Sequence, residues 1–285
     1  MHSAYVPLYP LFALAAYFII ALGLFSLRAR WVGIAVDAEV ASRPASKLLG
    51  RYLRHYIMWV LGPWERALVR WRVTPNALTF GSFVVACVAG FFFAIGNFGA
   101  GGWLYLLTGI LDILDGRIAR ATGMVTKGGA FFDSVMDRYA ELVVFSGLAI
   151  FYRGSWALYV ALVAAIGSIM VSYTRARGEA LGVQVNIGTM QRPERLFYLG
   201  VISGLSPIVE TLFGHGSLPP YVPVVVALAL LGASANVTAV RRISHTLARL
   251  DGRDVEAARE EKNVPETPIV PLSSKRQSQQ QRAAK

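Results

Sequence analysis

The chain has 285 residues, of which 55% are hydrophobic and 16% are charged, and 28 basic against 17 acidic residues give a net charge of +11. Soluble domains are about 45–50% apolar and about 25% charged, so this composition excludes an ordinary soluble protein and predicts a chain that crosses a membrane several times. The single cysteine, Cys87, excludes a disulfide framework and a cysteine-based zinc site. The basic excess indicates membrane topology and contact with anionic lipid, and we expect no nucleic-acid partner.

Seven apolar stretches are long enough to span a bilayer, for which a helix needs about 20 residues. The first stretch has no basic segment before it and ends at Arg28 and Arg30, so we interpret it as a retained span and not as a signal peptide. The predicted spans are Tyr5–Leu27, Asn76–Ile95, Gly102–Thr122, Gly129–Tyr152, Trp156–Thr174, Leu196–Phe213 and Tyr221–Val240.

Basic residues are concentrated in alternate connections between these spans. The connections 96–101, 153–155 and 214–220 contain Arg153 as their one arginine, whereas the other connections are rich in arginine. Because basic loops stay on the cytoplasmic side, this pattern predicts an outside N-terminus and a cytoplasmic C-terminus. The fold class is therefore predicted to be an all-α polytopic membrane protein.

Two further segments are predicted not to span the membrane. Lys47–Arg72 interleaves apolar and basic residues, which favours an amphipathic helix on the cytoplasmic surface over a plain polar connector. From Asp251 onward the chain is polar and is predicted to be a disordered cytoplasmic tail. The predicted organisation is an N-terminal span at 1–30, a juxtamembrane segment at 31–72, a six-helix membrane domain at 73–250 and a tail at 251–285.

Four aspartates lie inside or at the ends of the third and fourth spans. A carboxylate near the bilayer interior costs a few kcal/mol, so it is retained only with a partner or a use. Asp112 and Asp115 share one helix face, and Asp133 and Asp137 are one turn apart on the next helix, so antiparallel packing should bring the two acidic faces against each other. Carboxylates this close need cations between them, and oxygen ligands select Mg²⁺ or Mn²⁺.

Small and basic residues accompany these aspartates. Gly116 and Gly129 allow a phosphate-bearing ligand or a backbone to approach closely, and Arg117 and Arg120 can bind phosphate. The residues alone therefore predict a site with two metal ions for a phosphate or pyrophosphate substrate, open to the cytoplasm.

Two alternatives outside this chemistry stay open. The aspartates could form a structural salt-bridge cluster with basic neighbours, namely Arg117, Arg120, Lys127 and Arg138. Intramembrane acids also serve proton or cation transport, although the sequence has neither an internal repeat nor a broken helix of the kind that transporters use.

The string Asp-x2-Asp-Gly-x2-Ala-Arg-x8-Gly-x3-Asp-x3-Asp resembles the signature of the CDP-alcohol phosphotransferases in all eight fixed positions. The resemblance covers roughly Arg72–Arg249. It implies a six-helix membrane core preceded by an amphipathic juxtamembrane helix, and a homodimer; the first span is then an extra N-terminal transmembrane helix. The eight positions are Asp112, Asp115, Gly116, Ala119, Arg120, Gly129, Asp133 and Asp137.

The resemblance also implies a reaction of phospholipid biosynthesis. An acceptor hydroxyl attacks the β-phosphorus of a CDP-linked donor, usually CDP-diacylglycerol, and CMP leaves. The four aspartates would hold two Mg²⁺ or Mn²⁺ ions, and Asp137 would also take the hydroxyl proton. The CDP moiety would be bound by Gly116, Ala119, Arg120 and Gly129. Aspartate-rich membrane prenyltransferases, whose motifs have other spacings, are the alternative among enzymes.

The acceptor is predicted from two further segments, 172–180 and 192–196, which resemble those of bacterial phosphatidylinositol-phosphate synthases. That resemblance implies inositol phosphate as acceptor and a bacterial cytoplasmic membrane. Arginines bind phosphate as forked donors, so four of them are candidate acceptor-binding residues: Arg175, Arg177, Arg192 and Arg195. Glycerol 3-phosphate or another polyol remains the alternative acceptor.

Overall fold

The computed structural model describes residues 20, 22–28, 30–31, 51–185, 187–188, 192–214 and 216–263, with side chains except at 51–54 and 253–263. From residue 51 onward these residues form seven α-helices and one short 3-10 helix, and no strand occurs among them. The described part of the chain is therefore all-helical, as predicted. The helices are α1 Arg51–Arg70, α2 Pro75–Ala94, α3 Phe98–Ala121, α4 Lys127–Phe151, the 3-10 helix Tyr152–Gly154, α5 Ala157–Ala180, α6 Arg192–Phe213 and α7 Val222–Asn263.

Helices α2–α7 correspond to the second to seventh predicted spans. By length and composition α2, α5, α6 and the stretch Val222–Gly252 of α7 can cross a membrane. Helices α3 and α4 carry the aspartates and their basic neighbours, which lower the mean hydropathy. Most of the first predicted span, Tyr5–Leu27, lies outside the described residues.

The start of α1 and the end of α7 can be compared with the predicted boundaries. The predicted juxtamembrane helix corresponds to α1, although its first residues, 47–50, lie outside the described part. Helix α7 continues to Asn263, so the prediction of a disordered tail from Asp251 was wrong for residues 251–263. This stretch is rich in Ala, Glu, Arg and Lys, which are good helix formers, so it prolongs the helix instead of ending it. Residues 264–285 lie outside the described part.

The helix ends near the aspartates are defined by capping side chains and by a glycine, which leaves short connections between the helices. Thr74 caps α2, with Pro75 in the first turn, and the Thr126 hydroxyl accepts a hydrogen bond from the Gly129 amide at the start of α4 (2.9 Å). Helix α3 ends at Ala121 with Thr122 as its C-cap, and Gly123 adopts a φ of 69° that L side chains rarely tolerate. Helices α3 and α4 are thereby joined by a tight turn.

The six helices α2–α7 are arranged as a closed ring. Around the ring the order is α3, α2, α4, α5, α7, α6 and back to α3, each helix packing on the two beside it, and α1 packs on the outside of α3. The buried core contains side chains from all six helices, including Phe93, Tyr105, Leu148, Leu199 and Leu228. We call the end of the ring with the α3–α4 turn and the start of α6 the aspartate end.

Glycines allow the closest helix contacts in the ring. A Cβ atom on Gly147 of α4 would lie 2.1 Å from the carbonyl oxygen of Gly90 on α2, and one on Gly102 of α3 would lie 2.3 Å from the amide nitrogen of Gly204 on α6. Backbones that approach this closely bring neighbouring polar side chains within hydrogen-bond reach across helices.

Helix α1 contacts the ring through an ion pair and the first predicted span through an apolar cluster. Glu65 pairs with Arg117 of α3 at 2.6 Å. On another part of α1, Tyr56 and Val60 form a small buried cluster with Phe25. The described end of the first predicted span therefore lies against α1.

Candidate active site

The two aspartates of α3 are held by hydroxyl groups of α2. Ser82 donates a hydrogen bond to Oδ1 of Asp112 (2.7 Å), and Thr79 donates one to Oδ2 of Asp115 (2.6 Å). Asp115 is buried, with 6% exposure. Because Thr79 and Ser82 are three residues apart, they face the same side of α2 and match the spacing of the two aspartates.

The two aspartates of α4 lie across the ring interior from those of α3. Asp137 pairs with Nη2 of Arg192 at 2.8 Å, and Nη1 of the same arginine donates to Oδ2 of Asp112. One guanidinium from the first residue of α6 therefore joins carboxylates of α3 and α4. Asp133 has no hydrogen bond or ion pair with any residue that the structure describes.

This arrangement differs from the expectation that the acidic faces of the third and fourth spans meet directly. Helices α3 and α4 each pack closely on α2 and not on one another. The gap between them at the aspartate end contains Arg192, whose long side chain reaches in from α6. The four carboxylates do share one region, but two of them, Asp112 and Asp137, meet at a guanidinium. Within the described residues, three acidic side chains do not gather into a compact metal centre.

A second ionic cluster lies next to the first and is more deeply buried. Glu141, one turn beyond Asp137 on α4, is 1% exposed and accepts hydrogen bonds from Arg195 (2.9 Å) and from Ser168 of α5. Arg195 is 2% exposed, and Arg138 lies 3.6 Å from the other oxygen of Glu141. This cluster connects α4, α5 and α6 across the ring.

The pairs expected from a purely structural salt-bridge cluster are not those observed. Arg117 pairs with Glu65, and Arg138 pairs with Glu141. Among the described residues, the four aspartates have Arg192 as their one ion-pair partner. Two of the four acids, Asp115 and Asp133, therefore have no cationic side chain of the described residues in direct contact.

The residues expected to bind CDP lie beside the aspartates. Gly116 follows Asp115 directly, and a Cβ atom there would lie 3.3 Å from the guanidinium of Arg120. Ala119 is half-buried on the same helix. Gly129, in the first turn of α4, is close to the side chain of Asn76 at the start of α2. The turn between α3 and α4 thus gathers small residues and a basic group at one rim of the site.

The four candidate acceptor arginines differ in position. Arg192 and Arg195 point into the ring, as described above. Arg175 is exposed and pairs with Glu179 at 2.8 Å, and Arg177 is exposed without an ion pair to the described residues. Of these four, the two arginines of α6 are therefore the ones that contact the acidic side chains inside the ring, namely Asp112, Asp137 and Glu141.

Several residues of the site were missed by sequence reasoning. Thr79, Ser82, Glu141 and Ser168 all bond to site residues. Glu141 had a signal, since it continues the four-residue spacing of Asp133 and Asp137. The hydroxyls had a weaker signal, because serine and threonine are common in membrane helices.

Arg242 of α7 was also missed as a structural residue. It is 5% exposed, and its guanidinium donates to the carbonyl oxygens of Ile187 (2.8 Å) and Val171 (2.5 Å). The connection between α5 and α6 is thereby fastened to the ring.

Comparison with known proteins identifies the family of this chain. A family model described as CDP-alcohol phosphatidyltransferase matches residues 72–231, which include both aspartate helices and Arg192. The chain belongs to the CDP-alcohol phosphatidyltransferase family. It is therefore a transferase, and with its apolar helices an integral membrane enzyme.

Relatives within the CDP-alcohol phosphatidyltransferase family include phosphatidylinositol phosphate synthases. The enzyme of that name from Streptomyces avermitilis is 31% identical over 217 residues, covering 74% of this chain and 86% of its own. The crystal structure of the Mycobacterium tuberculosis enzyme with CDP-DAG bound superimposes with a TM-score of 0.57 at 28% identity, covering 65% of this chain and 92% of that chain. A second structure of that enzyme, with manganese and citrate, gives a TM-score of 0.56 at 28% identity over 65% of this chain and 87% of that one.

Proposed function

We propose that this enzyme transfers a phosphatidyl group from CDP-diacylglycerol to inositol phosphate and releases CMP. The observation that carries this proposal is the complete eight-position motif, placed by the fold around one polar region inside a ring of apolar helices. Relatives named phosphatidylinositol phosphate synthase support the choice of acceptor, and the relative with CDP-DAG bound supports the choice of donor.

The carboxylate groups of the site are suitable ligands for divalent cations. Four carboxylates supply hard oxygen ligands of the kind that Mg²⁺ and Mn²⁺ prefer, and the place between Asp112 and Asp137 already accommodates a positive group. The relative crystallised with manganese supports this assignment. We propose that Asp112, Asp115, Asp133 and Asp137 hold two such ions, which would offset the negative charge of the pyrophosphate and of the leaving CMP.

The protein's own residues have separate roles in this proposal. Asp137 accepts the proton of the attacking hydroxyl, since it faces the ring interior and is 16% exposed. Gly116, Ala119, Arg120 and Gly129 line the CDP pocket at the α3–α4 turn. The phosphate of the acceptor is bound by basic side chains at the same end, namely Arg175, Arg177, Arg192 and Arg195.

The membrane arrangement follows from the charge pattern. We propose that α2–α7 form the six-helix catalytic core within 73–250 and that α1, within the juxtamembrane segment 31–72, lies at the cytoplasmic surface. The span within 1–30 is additional to this core. The aspartate end would face the cytoplasm of a bacterial membrane, where CMP and the polar acceptor are soluble, and two copies would form a homodimer.

An acceptor panel tests the proposed substrate. Purified enzyme in detergent with Mn²⁺ and CDP-diacylglycerol is expected to release CMP at least about tenfold faster with inositol phosphate than with inositol or serine, since arginines that pair with a phosphate lose that partner in unphosphorylated acceptors. Glycerol 3-phosphate keeps the phosphate but lacks the ring and its hydroxyls, so it is also expected to react more slowly than inositol phosphate. CMP release and product mass are measured together. Product from glycerol 3-phosphate alone would refute the proposed acceptor, and no CMP with any acceptor would refute the transferase assignment.

Thr79→Val tests whether α2 positions the metal ligands. Valine keeps the shape of threonine but removes the hydroxyl that orients Asp115, and loss of such an outer-shell hydrogen bond weakens metal affinity about 10–100-fold. Mn²⁺ binding is measured by titration of the free-ion electron paramagnetic resonance signal. Thr79→Ser retains the hydroxyl and is the control, for which affinity near that of the wild type is expected. Equal affinity in the valine variant would contradict the role of Thr79.

A further inference from the structure

The side chain of Arg192 lies between two acidic residues of other helices. Its guanidinium bridges Asp112 of α3 and Asp137 of α4, and these are its two ion-pair partners among the described residues. Both partners are proposed metal ligands. A guanidinium does not lose its proton in proteins, so the bridge can be broken only by moving the side chain.

The neighbouring arginine of α6 behaves differently. Arg195 is 2% exposed, and it bonds to Glu141 and to the carbonyl oxygen of Ser168, none of which is a proposed metal ligand. Arg195 thus anchors the start of α6 independently of the aspartates. Arg192 is the first residue of that helix and is 15% exposed, so its side chain can turn away while the helix stays in place.

The bridging position and a bound divalent ion exclude each other. A cation held by Asp112 and Asp137 would lie within a few ångströms of the guanidinium, and two positive groups at about 4 Å repel by several kcal/mol in a partly buried site. Either the guanidinium or the ion can hold these two carboxylates together, but not both at once.

We propose that Arg192 is an internal counter-ion of the aspartate site. It bridges Asp112 and Asp137 until a divalent cation binds, and it then turns its guanidinium to the phosphate of the acceptor. This inference rests on the proposed function, and it adds an order: the acceptor's phosphate gains Arg192 as a ligand only after the cation has bound. The aspartates therefore have a positive group beside them both before and after the cation binds.

The proposal predicts a measurable competition. If the bridge is closed in about nine of ten molecules, the apparent dissociation constant for the cation is raised about tenfold, because only the open fraction can bind. Arg192→Gln removes the competing charge. After chelator treatment, the full-length variant in detergent is expected to bind Mn²⁺ at least about tenfold more tightly than the wild type, as measured by electron paramagnetic resonance.

Arg153→Gln is the matched control. It removes an exposed arginine of the 3-10 helix that follows α4, which has no ion pair to the described residues and no proposed role in the site. Its Mn²⁺ affinity is expected to stay within about twofold of the wild type, because an exposed charge at a distance is screened. Arg192→Lys keeps the positive charge but cannot contact both carboxylates as the forked guanidinium does. Its Mn²⁺ affinity is therefore expected to lie between that of the wild type and that of Arg192→Gln. It also serves as the test variant if the glutamine variant does not fold.

Thermal unfolding separates a displaceable counter-ion from a permanent structural tie. Without divalent cation, Arg192→Gln is expected to melt below the wild type, and saturating Mn²⁺ is expected to remove the difference. A difference that persists at saturating Mn²⁺, or an unchanged Mn²⁺ affinity in both Arg192 variants, would overturn the inference and leave the proposed function intact. Absence of Mn²⁺ binding to the wild type would overturn the proposed metal site itself.

Discussion

Asp137→Asn is expected to lower the rate of CMP release by about 10²–10⁴-fold, because it removes the proposed proton acceptor for the attacking hydroxyl. Asparagine has nearly the same shape, and its carbonyl oxygen can still accept a hydrogen bond from Arg192, so the fold should be retained. Release of CMP from CDP-diacylglycerol is measured at saturating Mn²⁺ and acceptor, so that weaker binding of either does not account for the loss.

Asp251→Asn makes the same chemical change at an exposed position on α7, far along the chain from the aspartate motif, and is expected to leave the rate unchanged. Asp133→Asn provides a comparison inside the site, since it should weaken Mn²⁺ binding as well as turnover. Near-normal CMP release by Asp137→Asn would show that another group accepts the proton.

Gly147→Ala is expected to destabilise the protein by about 3 kcal/mol, at the upper end of the cost of overpacking a core by one methyl group. The new Cβ would lie 2.1 Å from the carbonyl oxygen of Gly90, which is backbone and cannot rotate away, so α2 and α4 must separate. This separation would also pull Thr79 and Ser82 away from the α4 side of the site. A melting temperature lower by roughly 10 °C is expected in detergent.

Gly81→Ala is the matched control for that experiment. It adds the same methyl group to α2 at a position where no atom lies within 4 Å, and alanine is the better helix former. Its melting temperature should equal or slightly exceed that of the wild type. If Gly147→Ala melted as the control does, the close approach of α2 and α4 would not contribute to stability.

The predicted spans and the aspartate motif came from local rules. A helix needs a fixed length of apolar residues to cross a bilayer, and residues three or four apart share one helix face, so both features can be read along the chain. The same rules placed Gly116 and Gly129 beside the acidic groups. They failed at Asp251, where helix-forming residues prolonged α7 in a segment judged only by its polarity.

Contacts between helices of the ring could not be predicted by these local rules. The helical period says which residues share a face, but not which helix that face meets. Antiparallel packing of the third and fourth spans was expected to bring their acidic faces against each other. The structure instead places α2 against both helices and Arg192 between Asp112 and Asp137. Thr79 and Ser82 could not be assigned to partners for the same reason.

From the sequence alone, the class of the protein, the approximate limits of its spans from α2 onward and the four acidic residues were determined, because hydrophobic length and helical spacing act over a few turns of one helix. The tertiary structure decided that α6 delivers Arg192 to the acids and commits Arg195 to Glu141. The arginines are only one turn apart, yet they have different partners, since the ring order depends on how glycine and apolar surfaces of distant helices pack together.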